Sequence, residues 1–404
     1  MTSSRPHAST LQKRRAFMAQ KHESDLPDYL LNDPYLPLSP IDEELERLGP
    51  TRSKAGFSQT PTSKLKPMII ALAFAILILF YIFSSIYKLN ALQYFMGRSC
   101  LNNERSIPPV SYPDGDVDWS RYAYTQYVTN TEYLCNSVML FETLDRLGSR
   151  AGRLMLYPTQ WSTDATEQNR LLQKAKDEYG VKLVPVDVLR RKNSQKIDIW
   201  RDGLTKLLAF NQTQYERLLV LDSDASILQH MDELFFIPPC AAAMPRAYWL
   251  SKPTLASHIM LIQPSAREFT RVQKAIEKTD HGVYDMEIIN KLYAKECVLL
   301  PHRGYALLTG EFRKEDHRAY LGNEEWDPET VIKETKYVHF SDHPLPKPWE
   351  DMREGDVLKA MPGCEADSEG VEDCRSRDIW LELYRDFRGR VKVSFCNVLL
   401  NDGN

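Results

Sequence analysis

The sequence predicts an α/β fold with a central, mostly parallel sheet, preceded by a single transmembrane helix. Three observations predict it. Strand and helix patterns alternate from Trp119 onward, an unbroken apolar run from Leu218 to Leu221 ends on two acids, and Met68–Tyr87 holds twenty residues without a charge. Strands alternating with helix-length segments mean crossover connections and parallel neighbours.

The chain has 404 residues, 26% charged and 43% hydrophobic, enough for one large domain with attachments. Its net charge of −4 gives no reason to expect a nucleic-acid partner. Residues 1–67 are rich in Pro, Ser and charge and read as a disordered cytosolic tail. "MIIALAFAILILFYIFSSIY", residues 68–87, would span ~30 Å as a helix, the thickness of a bilayer's hydrocarbon. It is apolar all round and begins too far into the chain for a cleaved signal peptide, so it reads as a signal-anchor. Arg52, Lys54, Lys64 and Lys66 precede it, against Lys88 and Arg98 after it, which puts the N-terminus in the cytosol and the remainder in a lumen. Residues 88–118 read as a stem and 119–404 as the lumenal domain.

Within that domain "YAYTQYVTN" (Tyr122 to Asn130) reads as a strand, and "TEYLCNSVMLFETLDRLGS" as a helix stopped at Gly148. "RLMLYP" is a second strand, "TEQNRLLQKAKDEYG" a helix ended by Gly180, and "VKLVPV" a third strand. "DIWRDGLTKLLAFN" is a helix leading into the strand before Asp222. Further on, "SHIMLIQPS" and "TKYVHFSD" are strands, and "AREFTRVQKAIEK" and "DMEIINKLYAKE" are helices. No G-x-G-x-x-G follows the first strand, so a dinucleotide site is not expected.

Cys364 and Cys374 bracket an acidic, Gly-containing loop and are expected to pair, a bridge worth ~2–4 kcal/mol. Cys100, close to the membrane, is a candidate for an intermolecular bond, which would make a homodimer. Cys135, Cys240, Cys297 and Cys396 lie in apolar surroundings and read as buried thiols. Asn211 begins the one N-x-[ST] sequon.

The acids carry the chemistry. Leu218–Leu221 suits a strand covered on both faces, and ligands of open α/β sheets bind outside the strands' carboxyl ends. Asp222 and Asp224, at i and i+2, point the same way and repel unless a proton or cation lies between them. Each is therefore expected to raise the other's pKa. A hard divalent ion that also bridges substrate phosphates fits the pair.

"YVTNTEYLCNSVMLFETL", "TKLLAF", "ERLLVLDSDASILQHMDELF", "SHIMLIQPS", "DMEIIN" and "VHFSDHPLPKPW" occur in an order and spacing that resemble glycosyltransferase family 8, the glycogenin-like enzymes. The resemblance covers roughly Tyr122 to Trp349 and is nearest to the fungal Golgi N-acetylglucosaminyltransferases. It implies a GT-A fold and a retaining transfer from a UDP-sugar donor with Mn²⁺. Asp222 and Asp224 match the family's metal-binding D-x-D, with Ser223 between them in the donor site, and His339 matches the histidine that completes the metal site. Lys347 matches the lysine on the diphosphate. Thr129, Asn130 and Tyr133 match residues around the uracil and ribose. Lys206 matches a lysine facing the donor, and Asp285 the acid near the donor sugar. On the same footing Asp285, Lys347 and Lys206 are the expected catalytic residues.

The chain departs from the family's H-x-x-G-x-x-K-P-W, with Ser341-Asp342 and two extra residues before Lys347. The family's Asn-Ser-Gly is Ala256-Ser257-His258 here, and its Asp-Gln is Asp285-Met286. These changes surround the sugar and not the nucleotide. The resemblance to the fungal subgroup implies N-acetylglucosamine as the donor sugar, with glucose or another hexose as the alternative, and the altered His258 and Met286 go with it, an apolar Met286 suiting an acetamido methyl. The acceptor implied is a glycan, with mannan and N-linked glycans as candidates, and the location implied is the Golgi membrane. Two other readings stand beside it: a catalytically inactive, membrane-anchored glycan-binding scaffold, and a metal-dependent phosphohydrolase. The Asp222, Asp224, His339 and Lys347 set argues against the first, and the uridine-site match against the second.

Overall fold

The structure is a computed structural model, and it describes residues 116–162, 166–189, 202–278, 283–342, 345–350, 353–366 and 372–391. The Met68–Tyr87 span lies outside the described residues, and among these no helix is long and apolar enough to cross a membrane.

Seven strands form one mixed sheet: β1 (Tyr122–Tyr127), β2 (Gly152–Pro158), β3 (Val181–Val186), β4 (Arg217–Leu221), β6 (Ala242–Pro245), β7 (Ile259–Ile262) and β8 (Val298–Leu300). They lie in the order β3-β2-β1-β4-β7-β6-β8. β7 alone runs against the others, pairing antiparallel with β4 and β6, so the expected mostly parallel sheet is observed. A second, small sheet orders β5 (Ala225–Ile227), β10 (Tyr337–His339) and β9 (Leu307–Leu308).

β4 is buried along its whole length, and its side chains divide between two cores. Leu219 and Leu221 pack with Leu134, Val138 and Phe141 of α1 (Thr131–Arg146) and with Leu171 of α2 (Glu167–Tyr179). Leu218 and Val220 pack with Val272 of α3 (Ala266–Glu277) and with Ile288, Ile289 and Tyr293 of α4 (Asp285–Tyr293). Each of these fully buried side chains contributes ~1.5–3 kcal/mol of transfer free energy.

Four sequence expectations change in detail. β1 stops at Tyr127 rather than Asn130, because the Asn130 side chain accepts from the Tyr133 N–H at 2.9 Å and caps α1. β7 stops at Ile262 because Ser265 caps α3 by accepting from Glu268 N. The segment before β4 is a 3₁₀ helix, Gly203–Asn211, with Asp198–Arg201 outside the described residues. Its buried Leu204, Leu207 and Phe210 recur every three residues, which is the 3₁₀ period. Cys135 is disulfide-bonded rather than a thiol, while Cys364–Cys374 is bridged as expected and Cys240 and Cys297 remain thiols. The apolar surroundings of Cys135 carried no sign of its bond. Asn211 is exposed, as a glycan acceptor requires.

The chain closes with α5 (Pro328–Glu334) and α6 (Arg375–Arg390), which build a third core. α6 buries Trp380, Tyr384 and Phe387 against Phe340, just past β10.

Candidate active site

The site forms at the carboxyl ends of β1 and β4, which are parallel neighbours. Ser223 is buried, while Asp222 and Asp224 turn together to the other side, each side chain still 19% and 15% exposed. The backbone bends at Ser223 and Asp224, so the two carboxylates converge through a turn after β4 and not through continued strand alternation.

The second sheet brings in the histidine. β10 pairs antiparallel with β5, His339 lies opposite Ala225, and the Phe340 N–H donates to Asp224 O at 2.9 Å. This register sets His339 Nε2 3.1 Å from Asp224 Oδ1. One ligand atom each from Asp222, Asp224 and His339 lies within 4.8 Å of the others.

Two lysines complete the cluster. Lys206, 3% exposed, sits 2.7 Å from Asp222 Oδ1 and 2.9 Å from Asp285 Oδ2. Lys347 Nζ sits 2.7 Å from Asp224 Oδ2 and also donates to the Phe340 carbonyl. Asp285 is the first residue of α4, where its charge also meets the helix dipole.

The two acids do not behave alike. Burial and the neighbouring acids raise the Asp222 carboxyl above the usual range against the pull of Lys206. Burial also acts on Asp224, but His339 and Lys347 outweigh it and hold its carboxyl well below that range. The expected mutual elevation therefore holds for Asp222, which Asp224 helps to raise, and is corrected for Asp224, where the imidazole and Lys347 prevail. Burial opposes the charge on Lys206, yet Asp222 and Asp285 raise its pKa.

The residues fit a divalent metal. Three carboxylates against two ammonium groups leave one net negative charge, and oxygen with imidazole donors suits a Mn²⁺-like ion. His339 Nδ1 is buried without a hydrogen-bond partner among the described residues, so that ring is not fixed by a second hydrogen bond.

The nucleotide-side residues lie beside the cluster. Thr129 is half-buried and Asn130 is exposed, both between β1 and α1. The Asn130 side-chain oxygen is engaged as the α1 cap, leaving its amide NH₂ for a ligand. Burial, with Asp224 and Asp222 facing it, raises the Tyr133 hydroxyl's pKa, and its ring meets Trp349 edge-on at 5.7 Å. Met286 is 4% exposed and packs with Ala247, Leu250 and Ala256.

Sequence reasoning missed four supports. Tyr127, the last residue of β1, donates its hydroxyl to Asp222 Oδ1 at 3.3 Å. Tyr337 donates to the Asp222 carbonyl at 2.9 Å, and its place two residues before His339 on one strand was the available signal. The His258 ring stacks on His339 with centroids 4.9 Å apart, a contact no local pattern announces. Asp342 and α6 back the His339 segment, where the Tyr384 hydroxyl donates to Asp342 Oδ2 at 2.9 Å. A cavity of about 420 Å³ between α2 and β3, lined by Tyr157, Trp161, Lys176 and Lys182 among others, holds none of the acidic cluster.

No protein-family model matches the chain. It is 51% identical over 288 residues to glucose N-acetyltransferase 1 of Gibberella zeae, which covers 68% of this chain and 63% of that protein. It is 45% identical over 310 residues to glucose N-acetyltransferase 1 of Aspergillus fumigatus, over 71% of this chain and 81% of that one. Among solved structures it is similar to the glycosyltransferase GlyE of Streptococcus pneumoniae, at 14% identity over 66% of this chain and 60% of that one, with a TM-score of 0.43. The protein is a transferase. It belongs to the family of fungal proteins named glucose N-acetyltransferase 1.

Proposed function

We propose that this chain is a GT-A-type, retaining glycosyltransferase that moves N-acetylglucosamine from its UDP donor to a glycan, with Mn²⁺ in its site. The observation that carries this reading is the convergence of Asp222, Asp224 and His339 between Lys206 and Lys347 at the sheet's carboxyl edge. A bound divalent ion supplies charge neutralisation at a diphosphate leaving group. Lys347, 28% exposed and aimed at Asp224, adds a second positive charge on the same side. Tyr133 and Trp349 offer aromatic surface beside the acids for a base or ribose.

Asp285 is tied to Lys206 at 2.9 Å, and an ion-paired carboxylate is a weak nucleophile. That favours attack by the acceptor hydroxyl on the face from which UDP departs over a covalent Asp285 intermediate. The words glucose and N-acetyl in the relatives' name are consistent with an N-acetylated glucose unit as the transferred group. Met286, Ala247, Leu250 and Ala256 put an apolar cluster next to Asp285, suited to an acetamido methyl. The Met68–Tyr87 span and its basic flank support a type II Golgi anchor with the catalytic domain in the lumen, facing mannan or N-linked glycans.

The test is donor hydrolysis and transfer by the full chain in detergent, across a panel of UDP-sugars, with Mn²⁺ or EDTA. The reading expects UDP-N-acetylglucosamine to be turned over fastest and EDTA to abolish turnover. Faster turnover of UDP-glucose sinks the sugar assignment, and indifference to EDTA sinks the metal. Acetyl transfer without release of UDP sinks the whole reading.

A further inference from the structure

β10 ends at His339, and the chain must cross from there to Lys347. What fixes that crossing is a buried carboxylate outside the acidic cluster. The Asp342 side chain is fully buried. Its Oδ2 accepts from the Thr309 hydroxyl and from the Tyr384 hydroxyl of α6, the latter at 2.9 Å. Its Oδ1 lies 3.3 Å from the Arg313 guanidinium. A buried carboxylate with three donors is satisfied, and removing one leaves desolvated charge behind.

Thr309 makes the arrangement specific to this segment. Its hydroxyl oxygen accepts from the Ser341 N–H at 3.1 Å and stands 3.3 Å from the His339 carbonyl. One hydroxyl thus touches three of the four residues from His339 to Asp342. The fourth, Phe340, is packed edge-on by Tyr384 at 5.1 Å and by Phe387 at 5.0 Å. The Phe340 carbonyl receives Lys347, and Phe387 lies 5.7 Å from Trp349. Burial and the Asp342 charge raise the Tyr384 hydroxyl's pKa, keeping it a donor.

We infer that Asp342, held by Thr309, Arg313 and Tyr384, is a positioning residue that makes α6 the rear support of His339 and Lys347. It is not one of the three converging side chains, Asp222, Asp224 and His339. It fixes the backbone from which the imidazole and the ammonium reach Asp224, so α6 belongs to the active-site machinery although it lies outside the segments that bind. The inference rests on the proposed role of His339 and Lys347 for its catalytic consequence, but not for its structural content.

The full-length chain in detergent, with Asp342→Asn and Tyr384→Phe, tests it by two readouts. The first is backbone hydrogen exchange. Faster exchange is expected in peptides spanning 337–350, with β1–β4 unchanged. The second is kinetic. The Mn²⁺ half-saturation and donor KM are expected to rise about fivefold or more in Tyr384→Phe, with Tyr384→His or another donor at that position recovering part of the loss. Should Asp342→Asn fail to fold, Tyr384→Phe alone decides, since it deletes a single hydroxyl. Unchanged exchange at 337–350 in Tyr384→Phe overturns the inference, whatever the activity. A melting temperature that falls while half-saturation and KM stay at wild-type values overturns it too, since that is plain structural support. A wild type that neither binds Mn²⁺ nor releases UDP defeats the transferase reading, while the exchange data still decide this one.

Discussion

His339 Nε2 lies 3.1 Å from Asp224 Oδ1, and the contact is made by strand pairing rather than by chance proximity. β5 follows directly from the acids, and β10 returns antiparallel beside it with His339 opposite Ala225. A slip of one residue would turn the imidazole to the opposite face of that small sheet. The proposed metal-ligand set therefore depends on a three-strand sheet that also touches α6 through Phe340.

Replacing Asp224 by Asn should keep the fold, since the amide is nearly isosteric and the site is partly open. It removes an anionic oxygen facing both His339 and Lys347. Transfer is expected to fall roughly a thousandfold or more, several kcal/mol in the barrier. His339→Ala should act in the same direction but more mildly, because water can stand in for one ligand. Rate against Mn²⁺ concentration for both variants is the measurement, and near wild-type turnover by Asp224→Asn would remove the acid from the site.

Lys206 is predicted to matter first for stability. It is 3% exposed and holds Asp222 and Asp285 at once, so Lys206→Met strands two desolvated carboxylates. The expected loss in the metal-free protein is about 3–5 kcal/mol. Mn²⁺ should recover more stability in the variant than in the wild type, because a cation returns beside Asp222. Urea denaturation with and without Mn²⁺ reads both, and a loss below about 1 kcal/mol would show that the acids simply take up protons.

The parts legible in sequence were those set by local pattern. The run Leu218–Leu221 named a central strand, Gly180 at φ 62° ended α2, and the D-x-D was placed at that strand's carboxyl end, although its acids converge through a bend and not by strand alternation. The relation of His339 to the acids came only through resemblance, since β5–β10 pairing is non-local. The 3₁₀ winding of Gly203–Asn211 was missed because apolar residues three apart fit either helix type. The stacking of His258 on His339 and the docking of α6 through Asp342 and Tyr384 are long-range contacts with no periodic signature.

His258 gives a pH prediction. Burial first, then the charges of His339 and Lys206, push its pKa well below the usual value, and its Nε2 is buried without a hydrogen-bond partner among the described residues. The native state thus favours the neutral ring. Its contribution to stability is complete above pH ~6.5 and is lost as pH falls toward the folded pKa, at up to ~1.4 kcal/mol per pH unit. In EDTA, between pH 7.5 and about 5.5, the wild type should lose ~1 kcal/mol more than His258→Phe, whose ring keeps the stack without titrating. Parallel urea midpoints for the two proteins across that range would show that the ring is solvated.

Lys347 separates charge stabilisation from metal binding. Its ammonium pairs with Asp224 but the side chain is 28% exposed, so Lys347→Ala should cost under about 1 kcal/mol of stability after solvent screening. Asp224 and His339 then keep each other, and Mn²⁺ half-saturation is expected to stay within about threefold of wild type, the spread that separates it from Asp224→Asn. The loss should appear in kcat, by roughly a hundredfold, because the proposed reading gives the ammonium the charge that grows on the departing diphosphate. Lys347→Arg should restore only part of it, since a rigid planar fork presents its charge and donors differently from the compact ammonium that Lys347 sets between Asp224 and the Phe340 carbonyl. The measurement is kcat and Mn²⁺ half-saturation on the same preparations. A Lys347→Ala enzyme whose half-saturation rises as far as in His339→Ala, with kcat intact, would mean that Lys347 only shapes the metal ligands and takes no part in the departure of UDP.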